Sequence, residues 1–147
     1  MRTTWVVAAD ASRARIFELS EPDQSLREVD DLVNPEGRLA EREVQVEPKG
    51  RFYGKGERNQ AHTAEPAVQP VEHEVELFSK RVGHYLDHAY TEHRFDKLLL
   101  IAPPKFLGLM RQNIGAQARK AVEDEIPKDL AWFQDKELEE YLQRHPH

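Results

Sequence analysis

Three short apolar runs, separated by turn-forming residues, open the chain. Residues 4–9 (TWVVAA) are apolar without alternation, which is typical of a strand buried on both faces. Residues 13–19 alternate polar and apolar positions, as in an antiparallel strand with one wet face, and residues 26–33 can supply a third strand. The pattern predicts a three-stranded meander. In its first turn, Asp10 is expected to accept hydrogen bonds from the backbone that follows it.

Apolar residues recur at helical spacing in the second half of the chain, where they predict a helix over 71–93 that begins after Pro70. The stripe comprises Val71, Val75, Phe78, Val82, Leu86 and Ala89. Residues 98–102 (LLLIA) are too few for a separate helix and are apolar on both sides, so they predict a buried central strand. Shorter elements are predicted as helices at 105–112 and 116–121, a strand at 122–126, and a last helix with Asp135 as its N-cap.

These elements predict an α/β fold: a mixed five-stranded sheet with flanking helices. A right-handed crossover through helix 71–93 would lay strand 98–102 parallel to strand 4–9, and the product resembles a ribonuclease H-like core. A chain of 147 residues suits one domain over 1–147. Residues 34–70 show no sustained period and predict a long, flexible loop, and loops of that length are usually functional or disordered.

Composition excludes several classes of protein. The chain has no cysteine, which excludes disulfide scaffolds and thiolate metal sites. No run approaches the roughly 20 apolar residues that cross a bilayer, and residues 5–9 are too few for the core of a signal peptide. We therefore expect a cytoplasmic location and no membrane contact. The formal net charge of −6 argues against nucleic-acid binding by the whole surface, although a local basic loop can still bind it.

A ribonuclease H-like sheet raises the question of two-metal nuclease chemistry, which needs several converging carboxylates. Asp10 stands where the first would lie, and Glu72, Glu74 or Glu76 could supply the second. The strand that ends in Ala102 offers no carboxylate at its tip. The sequence therefore favours no catalytic site, with Asp10 as a turn former.

Histidines and cations give weaker signals. His84 and His88 lie one helical turn apart, a spacing that can hold zinc if further ligands arrive from elsewhere, but the sequence favours a solvated helix flank. We expect no metal and no cofactor. Lys105 and Arg111 lie near a helix start that favours anions, but Pro104 lacks an N–H group and weakens that site.

A basic, glycine-rich and aromatic segment, residues 49–60 (KGRFYGKGERNQ), stands out in this acidic chain. Cations reach phosphates, and aromatic rings stack on bases, as in contacts with single-stranded or structured RNA. The predicted RNA-binding residues are Lys49, Arg51, Phe52, Tyr53, Lys55, Arg58 and Gln60. The alternative is a solvated, disordered loop, because disorder has the same composition.

Three stretches carry a family resemblance: residues 7–17 (VAADASRARIF), 95–108 (FDKLLLIAPPKFLG) and 125–130 (EIPKDL). They resemble the bacterial host attachment protein family, named as required for attachment to host cells. That family in turn looks like the central domain of archaeal and eukaryotic release factors, which hydrolyses peptidyl-tRNA through a Gly-Gly-Gln loop. The matching place here is the 34–70 loop.

The resemblance implies a binding module without catalytic activity. The loop holds Gly54-Lys55-Gly56 and a separate Gln60 in place of the tripeptide, and Gly115-Ala116-Gln117 falls after the fourth strand, away from that place. The implied partners are the ribosome, tRNA or another protein. The alternative function is a cytoplasmic interaction protein that acts indirectly on attachment, whereas peptidyl-tRNA hydrolysis and metal-dependent nuclease activity are less favoured.

Overall fold

The computed structural model describes residues 2–35 and 64–145, with side chains in the second range from residue 72 onward. The strands of these ranges are β1 (Thr4–Ala9), β2 (Arg13–Ser20), β3 (Ser25–Val33), β4 (Lys97–Ile101) and β5 (Val122–Ile126). The helices are α1 (Ala64–Thr91), α2 (Pro104–Asn113), α3 (Ala116–Arg119) and α4 (Asp135–Arg144). Among the described residues, no helix is both long and apolar enough to cross a membrane.

The strands form one five-stranded sheet in the order β3-β2-β1-β4-β5. β1 pairs antiparallel with β2, and β2 with β3, which confirms the predicted meander. β4 lies parallel to β1, with Val6 opposite Leu99, and β5 lies parallel to β4. The mixed sheet and its flanking helices are therefore as predicted, and the three parallel strands direct their carboxyl ends to the same edge.

Both faces of the central strands are covered, which explains why β1 and β4 read as unbroken apolar runs. Successive side chains of a strand point to opposite faces. One face carries the α1-face core, whose buried residues include Trp5, Val7, Ile16, Phe78, Val82, Leu86, Phe95, Leu98, Leu100, Phe106 and Met110. The other carries the α4-face core: Val6, Ala8, Phe17, Leu19, Leu26, Leu99, Ile101, Leu130, Leu138 and Leu142.

The long helix begins earlier than the sequence predicts. α1 starts at Ala64, so the predicted loop 34–70 and the predicted helix start at 71 are both wrong at this boundary. Pro66 stands in the first turn, where the backbone N–H groups have no partner within the helix and proline loses nothing. Pro70 removes a single backbone donor and does not end the helix.

A residue in the left-handed conformation follows the last turn of helix α1. His93 has φ 63°, its N–H donates to the carbonyl of Tyr90, and the N–H of Arg94 donates to the carbonyl of Ala89. This pair of hydrogen bonds is a Schellman motif, which satisfies carbonyls that the helix end leaves without partners. The motif directs the chain through Phe95, a buried residue of the α1-face core, into β4.

The prediction that one face of β2 is exposed to solvent is wrong at Arg15, because the Arg15 side chain is only 8% exposed. Its guanidinium lies 2.6 Å from a carboxylate oxygen of Asp135 and 3.3 Å from one of Glu28. It also donates to the backbone carbonyls of Ala131 and Phe133. Arg15 thus holds the segment that leads into α4 against the sheet.

The start of α4 also differs from the prediction by one residue. Gln134, and not Asp135, is the N-cap, and its N–H donates to the Glu137 carboxylate at 2.8 Å. The Asp135 carboxylate is instead engaged with Arg15. Further along α4, Glu139 accepts a 2.7 Å hydrogen bond from the backbone N–H of Leu26, on the outer strand β3.

A candidate ligand cavity at the carboxyl end of the parallel strands

A cavity of about 410 Å³ opens at the carboxyl end of β1 and β4. Volumes of roughly 300–1,000 Å³ are typical of small-molecule sites. Four parts of the chain line it: the turn after β1, the first described turns of α1, the start of α2, and the segment after β5. The lining residues are Asp10, Ala11, Glu72, Val75, Glu76, Pro103, Lys105, Phe106, Leu109 and Asp129.

The topology explains why the cavity lies here. β1 is the strand at which the order of the sheet reverses, since the chain runs outward from β1 to β3 on one side and from β4 to β5 on the other. In open α/β sheets, ligands bind outside the carboxyl ends of the strands at such a reversal, because the flanking connections diverge and leave a crevice.

The lining divides into an apolar part and a charged part. Phe106 is buried, and Val75 and Leu109 are half-buried and pack against the α1-face core. Around them lie, among the described residues, four acidic residues and one basic residue, Lys105. Negative charge therefore exceeds positive charge around an apolar surface.

Asp10 is fixed by the backbone of its own turn. Its Oδ1 accepts hydrogen bonds from the N–H groups of Ser12 at 2.8 Å and Arg13 at 3.0 Å. The Asp10 N–H donates to the Arg13 carbonyl at 2.9 Å. The predicted role of Asp10 as a turn former is confirmed, and the same bonds hold its carboxylate at the cavity.

Asp129 carries an unfavourable charge. Partial burial raises the pKa of its carboxyl, and the negative charge of Asp10 raises that pKa further. Both causes disfavour the ionised form, so a cation that entered the cavity would relieve the repulsion between the two carboxylates.

A close crossing of α1 and α2 holds the two helical walls of the cavity together. A Cβ atom at Gly83 would lie 2.4 Å from the backbone oxygen of Asn113, so only glycine allows this approach. The Asn113 amide donates to the hydroxyl of Ser79 at 3.1 Å, and that hydroxyl donates to the backbone carbonyl of Glu76 at 2.7 Å. The crossing sets the distance between α1 and the α2 residues that line the cavity.

Several residues singled out in the sequence lie away from this cavity. His84 and His88 are exposed, and His88 lies 3.1 Å from Glu92 on the same helix. Arg111 pairs with Glu125. The described residues contain no group of three or more His, Asp or Glu arranged to hold a metal ion. Gly115 lies at the start of α3, where its N–H donates to Asp87.

Other predicted residues do come together here. Asp10 and two of the three glutamates weighed as its partners, Glu72 and Glu76, line the cavity with Lys105. The predicted RNA-binding residues (Lys49, Arg51, Phe52, Tyr53, Lys55, Arg58 and Gln60) lie outside the described residues. That assignment stays a prediction.

Asp129 and Arg15 were missed by sequence reasoning. Asp129 follows the last parallel strand, so the rule that sites collect at the carboxyl ends of parallel strands could have found it. Nothing in the alternation of β2 distinguishes Arg15 from a solvated residue.

The chain matches a family model. The model, described as "Protein required for attachment to host cells", matches residues 5–142, a range that contains the cavity-lining residues named above. No curated protein matches the chain.

Proposed function

The chain belongs to the family of proteins required for attachment to host cells, and from this premise we propose that it is a binding protein whose cavity takes a ligand on which attachment depends. The observation that carries the proposal is the cavity itself. It combines an apolar surface with several charged groups at the reversal point of a mixed sheet. Such a combination is typical of small-molecule sites, where apolar walls supply affinity and a few polar groups set orientation.

The walls support a binding role because they are pre-formed. Asp10 is fixed by the hydrogen bonds within its own turn, and the close crossing at Gly83 fixes α1 against α2. A site whose side chains are held in place before the ligand arrives spends less free energy on ordering them.

Attachment assays with charge-reversed variants test this proposal. In a strain that lacks the gene, Glu76→Lys together with Asp129→Lys should fail to restore attachment to host cells, whereas the wild-type gene restores it. The control is Glu140→Lys on the exposed side of α4, which makes the same kind of charge reversal at a single residue away from the cavity. Attachment equal to wild type in the double variant, with the protein present at normal level, would rule out the cavity as the functional site.

A second candidate function is an RNA- or ribosome-associated module that does not hydrolyse peptidyl-tRNA. The observation that favours it is the segment 49–60, with its four cations and two aromatic residues. This second function also depends on the resemblance to release factors. The ribonuclease H-like assignment and the cytoplasmic location likewise stay predictions.

RNA binding measured at several salt concentrations tests the second candidate. Replacing Lys49, Arg51, Lys55 and Arg58 with Ala should weaken binding to tRNA or ribosomes. The slope of log affinity against log salt should fall by roughly 0.7–0.9 for each lost phosphate contact. Absence of RNA binding by the unchanged protein at low salt would eliminate this function and leave the cavity proposal untouched.

A further inference from the structure

The cavity has a charge imbalance that restricts what it can bind. Among the described residues that line it, four are acidic (Asp10, Glu72, Glu76 and Asp129) and one, Lys105, is basic. A phosphate or carboxylate ligand would face this excess of like charge, and like charges at close range cost free energy. The imbalance therefore favours a cation.

The apolar part of the lining favours an organic cation over a hydrated metal ion. Phe106 is 4% exposed, and it packs against Phe78 with ring centroids 5.9 Å apart, so its side chain is held in place. Together with Val75 and Leu109 it offers a surface that a hydrated metal ion cannot use. An organic cation can use both the apolar surface and the carboxylates, because its carbon skeleton loses water on contact with the former.

We propose that the cavity binds a small organic amine, with its ammonium group beside the carboxylates of Asp10 and Asp129 and its apolar body against Phe106. The size of the cavity fits a molecule of about the dimensions of an arylalkylamine. The ammonium also separates Asp129 from Asp10, whose mutual repulsion disfavours the ionised carboxylates in the empty cavity. This inference rests on the proposed function, since it names the class of ligand for the same site.

Titration calorimetry with three matched probes tests the ligand class. 2-Phenylethylamine should bind the full chain. The neutral 2-phenylethanol should bind about tenfold or more weakly, and the anionic phenylacetate should not bind measurably. Equal affinity for the amine and the alcohol would overturn the proposal, because the carboxylates would then contribute nothing.

Substitutions locate the binding. Asp129→Asn should weaken binding of 2-phenylethylamine about tenfold, because it removes a carboxylate from the ammonium. Glu76→Gln should weaken binding less, because it only lowers the negative charge of the cavity lining. Glu140→Gln, on α4, should leave the affinity unchanged. Thermal unfolding of each variant confirms that the fold is intact. Unchanged amine affinity in both cavity variants would place the amine elsewhere and overturn the proposal.

The two proposals fail in different ways. Loss of attachment in the charge-reversed double variant, combined with no amine binding, would keep the cavity as the functional site and reject the amine as its ligand. Normal attachment in that variant would reject the proposed function whatever the calorimetry shows.

Discussion

The two faces of the sheet are held by different interactions. On the α1 face, the long helix and α2 bury a core dominated by aromatic and aliphatic side chains, including Phe78, Leu86 and Phe106. On the α4 face, a smaller apolar core is supplemented by the buried guanidinium of Arg15, which gathers two carboxylates and two backbone carbonyls. Apolar burial depends little on salt or pH, whereas an ion-pair network depends on both. The two faces should therefore respond differently to conditions.

The largest expected effect is on the α1 face. Phe78→Ala should lower the free energy of unfolding by about 3–5 kcal/mol, because it removes a buried ring and leaves a cavity. Chemical denaturation measures the loss. The neighbouring Leu77→Ala is the control, since Leu77 is 43% exposed and should cost less than about 1 kcal/mol. Equal losses at both positions would contradict the orientation of α1.

The crossing of α1 and α2 gives the next effect. Gly83→Ala should destabilise by about 1–3 kcal/mol or more, since its Cβ would meet the backbone of Asn113. Gly108→Ala, in α2, is a matched control: nothing lies within 4 Å of its added Cβ. That change should stabilise by about 0.5–1 kcal/mol because alanine favours a helix more than glycine does. A stable Gly83→Ala protein would show that the two helices are not in close contact.

Arg15 tests the α4 face. Arg15→Met should cost about 1–3 kcal/mol, less than a fully buried pair would, because Asp135 is 50% exposed and regains water when the guanidinium is lost. The loss should shrink slightly at high salt, unlike that of Phe78→Ala, because only the half-exposed Asp135 is open to screening. Arg27→Met repeats the chemical change at a pair whose arginine is 72% exposed, and it should cost under about 1 kcal/mol. A loss for Arg15→Met no larger than that for Arg27→Met would contradict the role of the buried guanidinium on this face.

The smallest effect concerns a polar link from α1 to β3 that titrates at high pH. The Tyr85 hydroxyl donates to Asp30 at 2.6 Å, and partial burial, followed by this bond and the charge of Asp30, raises the pKa of Tyr85 to about 12. The folded state disfavours tyrosinate, so this stabilisation is present below the ordinary pKa of about 10 and is lost as the pH rises towards 12.

Tyr85→Phe should therefore cost about 0.5–1.5 kcal/mol at pH 7 and progressively less above pH 10. Urea unfolding of both proteins between pH 7 and pH 12 measures the difference. A difference that stays constant across this range would contradict the raised pKa.

The sequence predicted the fold better than it predicted the charged contacts. β1 and β4 were recognisable because burial on both faces makes a strand apolar throughout, and the long helix because its stripe repeats over several turns. The predicted start of α1 was wrong because Pro70 is typical of a helix boundary, although the helix continues through it. The spacing of apolar residues predicts strands and helices because each of these elements is formed by neighbouring residues of the chain.

Arg15 and the cavity could not be read in the same way. Arg15 meets partners more than 100 positions further along the chain, and alternation assigns such a residue to solvent. Asp10 was recognised alone, but its proximity to Asp129 follows from the parallel pairing of β4 with β1 and of β5 with β4. Convergence of this kind is a property of the topology.

The outer strands of the sheet have a consequence for self-association. Unpaired strand edges can recruit a strand from another molecule and start aggregation. On β3, the Glu139 side chain already accepts the N–H of Leu26, and on β5 the sequence places Glu123, Asp124 and Glu125 in succession. A strand that paired with β3 would have to displace the Glu139 side chain. A strand that paired with β5 would have to approach its three successive acidic residues. Both edges therefore discourage β-augmentation, and a partner that binds this protein is expected to contact its side chains in preference to extending its sheet.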